Sequence, residues 1–242
     1  MELVELLLSD EALAVVVPIV VYWAYCGLHT ENFVSKRQAI SNVLKQQLVM
    51  AAMVFKVRTT TRTTSYWWWT MAASQIAVAM IWFDLWHYAW HRTLHANRFL
   101  YRNLHSWHHR LVVPYAFGAL YGHPVKGFVA DTVGGMAAFL VSGMSPRASI
   151  LFFSLCTVKA IDNHCGLALL AADYLLSGLG NSAAYHDVHH QLRGRQHNYS
   201  QLFFVMWDRV FRTYMPYVRD RPDGGTLQVR ALGLDYRAKK NN

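Results

Sequence analysis

The sequence contains few acidic residues, and it contains no glutamate after Glu31. This absence excludes two metal-site motifs from most of the chain: the Glu-x-x-His ligands of carboxylate-bridged helical bundles and the HExxH of metalloproteases. The three cysteines are odd in number and show no CxxC spacing, so they indicate neither a disulfide scaffold nor a thiolate metal site. A metal centre in this chain would have to use other side chains.

Positive charge is in excess, since the sequence contains 23 Lys and Arg residues and 14 Asp and Glu residues. No basic stripe accompanied by a nucleic-acid-binding motif is found, so the charge does not indicate a nucleic-acid partner. The hydrophobic fraction of 54% favours a membrane protein, in which basic loops and tails are attracted to anionic lipid headgroups.

Apolar segments in the first third of the chain predict membrane helices. Residues 12–28 predict a first transmembrane helix, and residues 66–86 predict the clearest one, because it opens with three tryptophans typical of a membrane surface. Residues 39–55 are apolar on one face only, so they predict either a second crossing or a helix lying in the interface. Residues 1–86 are therefore predicted to form N-terminal membrane helices.

Two further apolar stretches, 128–144 and 150–161, are separated by the turn sequence Ser145-Pro146-Arg147. They predict a helical hairpin at about 128–161 that enters and leaves the bilayer, within a catalytic domain formed by residues 87–242. An even number of crossings would keep the histidines before and after the hairpin on one side of the membrane. The predicted fold is an all-α integral membrane protein with about four to five transmembrane or re-entrant segments.

Histidine is the residue type in excess, with 13 copies that fall mostly into three clusters. The first cluster has i, i+4 spacing, and the other two share the pattern HxxHH, so that each cluster lies on one helix face. A lone histidine in a membrane protein is more often hydrogen-bonded than a ligand, but three clusters would repel if charged and would be costly if buried unpaired. The predicted metal ligands are His91, His95, His105, His108, His109, His123, His164, His186, His189 and His190, with His87 as a possible further ligand.

This number of ligands exceeds the coordination of one ion, and imidazole suits zinc, copper, iron and nickel. A zinc hydrolase normally uses three protein ligands and a water. Two metals are therefore predicted, with a histidine-rich di-iron centre for oxygen chemistry as the candidate. Asp84, Asp162 and Asp187 lie beside or within the clusters and are predicted to accept hydrogen bonds from ligand N–H groups; helix capping or surface pairing is the alternative.

At these residues the sequence resembles the fatty acid hydroxylase/sterol desaturase superfamily of endoplasmic-reticulum membrane di-iron enzymes. Its HxxxH, HxxHH and HxxHH motifs correspond to residues 91–95, 105–109 and 186–190. The runs 99–121, 131–135, 141–147, 162–166 and 203–209 resemble those of plant-type sphinganine C4-hydroxylases. The resemblance is strong over about residues 82–217 and weak in the N-terminal helices.

The resemblance implies a cytosolic di-iron domain that hydroxylates sphinganine or dihydroceramide at C4. The implied cofactors are two non-haem iron ions and O2, with electrons from NAD(P)H passed through a reductase and cytochrome b5. It also implies a multi-pass protein of the endoplasmic-reticulum membrane, and residues 239–242, Lys-Lys-Asn-Asn, resemble the KKxx retrieval signal that is read from the cytosol. The C-terminus is therefore expected to be cytosolic.

Histidine motifs alone leave other functions open. A desaturase acting on the same lipid would remove a second hydrogen instead of adding a hydroxyl group, and a sterol or fatty acid oxidase would use the same motifs. A non-enzymatic membrane haem or metal carrier would need only a few histidines on facing helices. The sphingolipid-type runs favour the C4-hydroxylase among these.

Overall fold

A computed structural model describes residues 9–27, 36–54, 67–111, 114–165, 180–220 and 228–232, and these parts are mainly helical. The first two helices are α1, Asp10–Gly27, and α2, Lys36–Val54. The hydroxyl group of Ser9 accepts a hydrogen bond from the Ala12 N–H and caps α1. Both helices were predicted from the apolar segments at 12–28 and 39–55. The predicted retrieval signal at 239–242 lies outside the described part of the chain.

The longest helix, α3, runs over Trp67–Ala96 and carries the first histidine cluster at its C-terminal end. Its 30 residues correspond to a length of about 45 Å. The boundary expected between residues 86 and 87 lies inside this helix, where the chain continues without a break. The apolar segment and the histidines are thus parts of one rigid element.

Two further long helices form the predicted hairpin. Helix α4 extends over Pro124–Ser142, with a π-helical segment at Phe128–Val133, and α5 extends over Pro146–His164. Gly143 adopts a left-handed conformation with φ of 62° and ends α4. Pro146 therefore does not lie in the turn: it occupies the first turn of α5, where a missing N–H has no cost, while Ser145 caps the helix.

Within the described residues, α4 is the one helix that is both long enough and apolar enough to cross a membrane. The helical hairpin at 128–161 is present, while the number of membrane crossings stays a prediction.

The helices are held together by apolar side chains around α3 and α5. Ala79 and Phe83 of α3 pack with Ala138 of α4 and Phe152 of α5 in one buried cluster. Helix α4 approaches α3 closely at Gly134, where an added Cβ would lie 2.3 Å from Trp86 Cδ1. The N-terminal helices therefore pack directly on the histidine-bearing part of the chain.

The C-terminal part contains two short helices, α6 at Ala183–His190 and α7 at Met206–Val210, followed by two strands. Strand β1, Tyr217–Asp220, pairs with β2, Gln228–Ala231, as an antiparallel sheet. The expectation of an all-α fold was wrong in this detail. Four-residue strands are too short for their alternation to predict them, and packing of Val229 and Ala231 against Val188 of α6 stabilises this sheet.

Candidate metal centre

Nine histidine side chains converge into two groups, and in each group the ligand atoms all lie within 4.8 Å of one another. The first histidine group comprises His91, His95, His105, His109 and His189. The second histidine group comprises His108, His164, His186 and His190. All but two of the nine side chains are buried, and His95 and His109 are half-buried.

Each HxxHH motif contributes to both groups. In the motif at 105–109, His105 and His109 join the first group and His108 joins the second. In the motif at 186–190, His189 joins the first group, whereas its two companions join the second. The rings of His109 and His190 lie only 4.7 Å apart between centroids, so the two groups are neighbours.

The local backbone differs between the two motifs, because the motif at 186–190 lies in the α-helix α6 whereas the motif at 105–109 does not. The chain forms a π-helical turn at Tyr101–His105 and then a 3₁₀ turn at His108–Arg110. These turns change the angular spacing between successive side chains relative to an α-helix. The i, i+3, i+4 pattern predicted that the three histidines would lie close together, but not that they would serve two centres.

The Nε2 atoms of the first group face one another at short range. The Nε2 atom of His109 lies 3.1 Å from that of His95, 3.1 Å from that of His105 and 3.2 Å from that of His189. The Nε2 atoms of His91 and His105 are also 3.1 Å apart. In the second group, the Nε2 atoms of His186 and His190 approach to 3.1 Å.

Backbone carbonyls orient four of the rings through Nδ1. His91 Nδ1 lies 2.8 Å from the Tyr199 carbonyl oxygen, and His189 Nδ1 lies 2.7 Å from the His197 carbonyl oxygen. The corresponding distances are 2.9 Å for His108 to Tyr121 and 2.7 Å for His164 to Ala160. A carbonyl oxygen can only accept, so in each pair Nδ1 carries the proton and Nε2 keeps its lone pair.

This tautomer makes the groups suited to metal ions. Two Nε2 atoms 3.1 Å apart either share a proton or, when both carry lone pairs, repel each other unless a cation lies between them. The Nε2 atoms of His108 and His164 are buried and have no hydrogen-bond partner, which is costly unless another ligand binds them. Burial also lowers the pKa of His189 to about 4 and the pKa of His186 well below its usual value, so these rings stay neutral and able to coordinate.

His87 and His123 lie outside both groups. The Nε2 atom of His87 is 3.6 Å from a carboxylate oxygen of Asp131. His123 caps the start of α4: its Nδ1 accepts a hydrogen bond of 3.2 Å from the Val125 N–H, and its ring packs against Trp107. The structure thus brings together nine of the ten predicted ligands, while a metal-binding role for His87 or His123 stays a prediction from the sequence.

The three predicted aspartates contact other partners. Asp84 accepts hydrogen bonds from the N–H groups of Phe203 and Phe204, at 3.0 and 2.7 Å, and so fixes that loop against α3. Asp162 pairs with Lys159 at 2.8 Å. Burial raises the pKa of Asp187 to about 7, and one of its carboxylate oxygens has no hydrogen-bond partner. None of the hydrogen bonds found in the described residues joins these carboxylates to a ligand ring.

Asp208 supports a ligand ring indirectly, through the backbone. Its carboxylate accepts hydrogen bonds from the N–H groups of Tyr199 and Ser200 and from the hydroxyl groups of Tyr185 and Thr213. The Tyr199 segment that it fixes carries the carbonyl group bonded to His91. The sequence places Asp208 further from the histidines than the three predicted aspartates, and it does not single this residue out because Asp208 acts through the backbone.

Comparison with known proteins agrees with this geometry. The family model described as "Fatty acid hydroxylase" matches residues 76–213. Sphinganine C4-monooxygenase 1 of Arabidopsis thaliana is 46% identical, over 92% of this chain and 94% of the relative. Very-long-chain aldehyde decarbonylase GL1-9 of Oryza sativa subsp. japonica is 44% identical, over 93% of this chain and 96% of the relative.

A more distant relative is Sphingolipid C4-hydroxylase SUR2 of Saccharomyces cerevisiae, which is 32% identical over 85% of this chain and 72% of the relative. No solved structure matches the chain. The family match covers the α3 histidines, both HxxHH motifs and the hairpin between them. The chain belongs to the fatty acid hydroxylase family.

Proposed function

We propose that this protein is an O2-dependent hydroxylase that adds a hydroxyl group at C4 of sphinganine or dihydroceramide. The observation that carries the proposal is the pair of adjacent histidine groups, with Nε2 lone pairs directed inward. The names of two similar proteins, a sphinganine C4-monooxygenase and a sphingolipid C4-hydroxylase, supply the lipid and the position on it.

Two non-haem iron ions are the proposed cofactors, one held by each histidine group. Iron with O2 supplies the oxidation of an unactivated C–H bond, which side-chain acid–base chemistry cannot perform. The protein holds the ligand rings neutral by burial and fixes their orientation through the carbonyl groups bonded to Nδ1. Glutamate ligands are not required, in agreement with the composition.

The lipid substrate is proposed to enter a cavity of about 110 Å³ between α1, α2, α3, α4 and α5. Most of its surface is apolar, with Phe83, Phe128 and Phe153 among the lining residues. The lining also includes Ala160, whose carbonyl oxygen contacts Nδ1 of His164. It includes Leu120 as well, which is next in sequence to Tyr121, the residue whose carbonyl oxygen contacts Nδ1 of His108. A lipid in this cavity would therefore lie against the segments that orient two rings of the second histidine group.

Electrons are proposed to come from NAD(P)H through a reductase and cytochrome b5, which would dock at a groove beside the first histidine group. The groove is lined by Arg98, Arg102 and Arg195 and includes Tyr101 and His95. The Arg195 guanidinium lies 5.0 Å from the centroid of the Tyr101 ring, which in turn packs 5.2 Å from the His95 ring. A basic groove is complementary to an acidic carrier protein. The Tyr101 ring in the groove contacts His95, which is a member of the first histidine group.

Reversing charge in this groove tests the docking site. We expect Arg98→Glu/Arg102→Glu to lower turnover supported by cytochrome b5 by about tenfold or more at low salt, because rim charges govern association. A matched control is Arg147→Glu, which reverses an arginine remote from the groove at the start of α5. Turnover is measured against cytochrome b5 concentration and with a small chemical reductant, which should support both variants equally. Equal loss with the chemical reductant would contradict a docking role.

The protein is proposed to lie in the endoplasmic-reticulum membrane with several crossings and a cytosolic C-terminus. The hairpin of α4 and α5 supports this topology, because it returns His164 to the group that contains His108. Both histidine groups would then face the cytosol, where cytochrome b5 and its reductase would reach the groove.

The function is tested by expressing the protein in cells that lack 4-hydroxylated sphingoid bases and analysing hydrolysed long-chain bases by mass spectrometry. We expect the 4-hydroxylated base to appear with the wild type and to fall to background with His105→Ala and His189→Ala, because each replacement removes a ring from the first group. A Δ4-unsaturated base alone would indicate a desaturase. Alkanes without a hydroxylated base would indicate the activity named for the rice relative.

A further inference from the structure

An acidic side chain lies in the apolar helix α4, where it has no role in either histidine group. Asp131 belongs to the π-helical segment Phe128–Val133 and lines the cavity proposed for the lipid. Ionisable residues in apolar, membrane-type helices are costly and are retained mainly at functional sites. Single π-helical turns inside α-helices are likewise frequent at such sites.

The carboxylate of Asp131 is available to bind a ligand. Its side chain retains 34% exposure, and it lies 3.6 Å from Nε2 of His87, which would form an ion pair only with a protonated ring. No hydrogen bond within the described residues reaches its carboxylate. Lys126 lies on the same helix and attracts Asp131 electrostatically, but no ion pair of 4 Å or less joins them within the described residues, and Lys126 does not line the cavity.

The remaining wall of the cavity is suited to one end of an alkyl chain. Phenylalanines and Leu202 surround the space, and the amide side chains of Gln46 and Gln47 add polar atoms on the α2 side. At about 110 Å³ the cavity is smaller than the ~300–1,000 Å³ of a typical ligand site. It would thus hold the head and first carbons of a lipid, while the rest of the chain extends outward between the helices.

We propose that Asp131 binds the ammonium group of a free long-chain base and so selects this substrate over its N-acylated form. The inference rests on the proposed function and names the substrate class within it. A free sphingoid base carries its ammonium on C2, two carbons from C4. A carboxylate that binds the ammonium on C2 therefore limits where C4 can lie, whereas an amide nitrogen brings no charge to bind it.

The test compares two substrates in purified, iron-loaded enzyme. For Asp131→Asn we expect the half-saturating concentration of sphinganine to rise by about tenfold, which corresponds to about 1.4 kcal/mol. The half-saturating concentration of dihydroceramide should not change, and Asp131→Glu should restore part of the preference for sphinganine. Asp10→Asn is the matched control, since it makes the same substitution at a partly exposed carboxylate outside the cavity. Iron content and gel filtration establish that each variant is folded.

An equal effect on both substrates, or no effect on either, would overturn the proposal. Failure of the proposed function has a different signature, because the wild type would then hydroxylate neither substrate.

A second measurement needs no variant. Octadecylamine and octadecanol have the same alkyl chain and differ in the charge of the head. We expect the amine to inhibit wild-type hydroxylation of sphinganine at a concentration about tenfold lower than the alcohol, and to lose that advantage in Asp131→Asn. Equal inhibition of the wild type by the two compounds would refute recognition of the ammonium group.

Discussion

Replacement of His164 by alanine is expected to remove one metal ion from each chain and to abolish hydroxylation. The second histidine group has four members, and His164 comes alone from α5, so no neighbouring histidine in that helix can take its place. Three remaining ligands would leave that ion weakly held, whereas the five histidines of the first group stay intact. Metal content should fall from about two ions per chain to about one.

The measurement is metal analysis of purified protein by mass spectrometry, combined with an assay of the 4-hydroxylated base. His123→Ala is the matched control, because His123 is also a single histidine near one end of the hairpin but lies outside both groups. It should keep about two ions. Loss of both ions in His164→Ala, or loss of one in His123→Ala, would contradict the division into two groups described above.

The sequence predicted which side chains would form the site better than it predicted how they are arranged. The spacing of His91 and His95 and the two HxxHH motifs identify eight of the nine histidines that come together, and His164, which was predicted as a single histidine, is the ninth. Both HxxHH motifs divide between the two groups, although the first lies in a π-helical and a 3₁₀ turn at 101–110 and the second lies in the α-helix α6. Which ring joins which group therefore depends on how the segments pack together, and the spacing within one motif does not show this.

The groups that orient the rings could not be predicted for a different reason. The Nδ1 partners are backbone carbonyls, which every residue possesses, so Tyr121 and Ala160 carry no signal of their role. Aspartates next to the histidines in sequence were predicted to accept the hydrogen bonds from the ligand rings. Asp84 instead fixes a loop 119 residues away, and the corresponding support comes from Asp208.

In the hairpin, the turn between the two helices was predictable from the sequence, but the packing of α4 on α3 was not. Ser145 and Pro146 predicted a break between two apolar segments, and the break is present with Pro146 starting the second helix. The close approach of α4 to α3 at Gly134 was not predictable, because the glycine is recognised only by the Trp86 side chain that occupies the space of its missing Cβ.

Asp208→Asn is expected to lower the stability of the protein by about 3 kcal/mol, because the amide nitrogen cannot accept the hydrogen bonds that one carboxylate oxygen now accepts. Each oxygen of Asp208 serves one backbone N–H and one hydroxyl group: Tyr199 and Thr213 on one, Ser200 and Tyr185 on the other. The replacement has nearly the same shape, so the loss measures hydrogen bonding and charge instead of packing. For a chain of this size the apparent melting temperature should fall by about 6–12 °C.

Thermal unfolding of the metal-loaded protein in detergent provides the measurement, with Asp10→Asn as control. Asp10 pairs with Arg147 at 3.4 Å on the surface, where an ion pair contributes about 1 kcal/mol or less, so its loss should lower the melting temperature far less. Because Asp208 fixes the segment whose Tyr199 carbonyl group orients His91, Asp208→Asn should also release metal from the first group at a lower chelator concentration than Asp10→Asn does. Equal melting temperatures for the two variants would show that the buried carboxylate does not stabilise this segment.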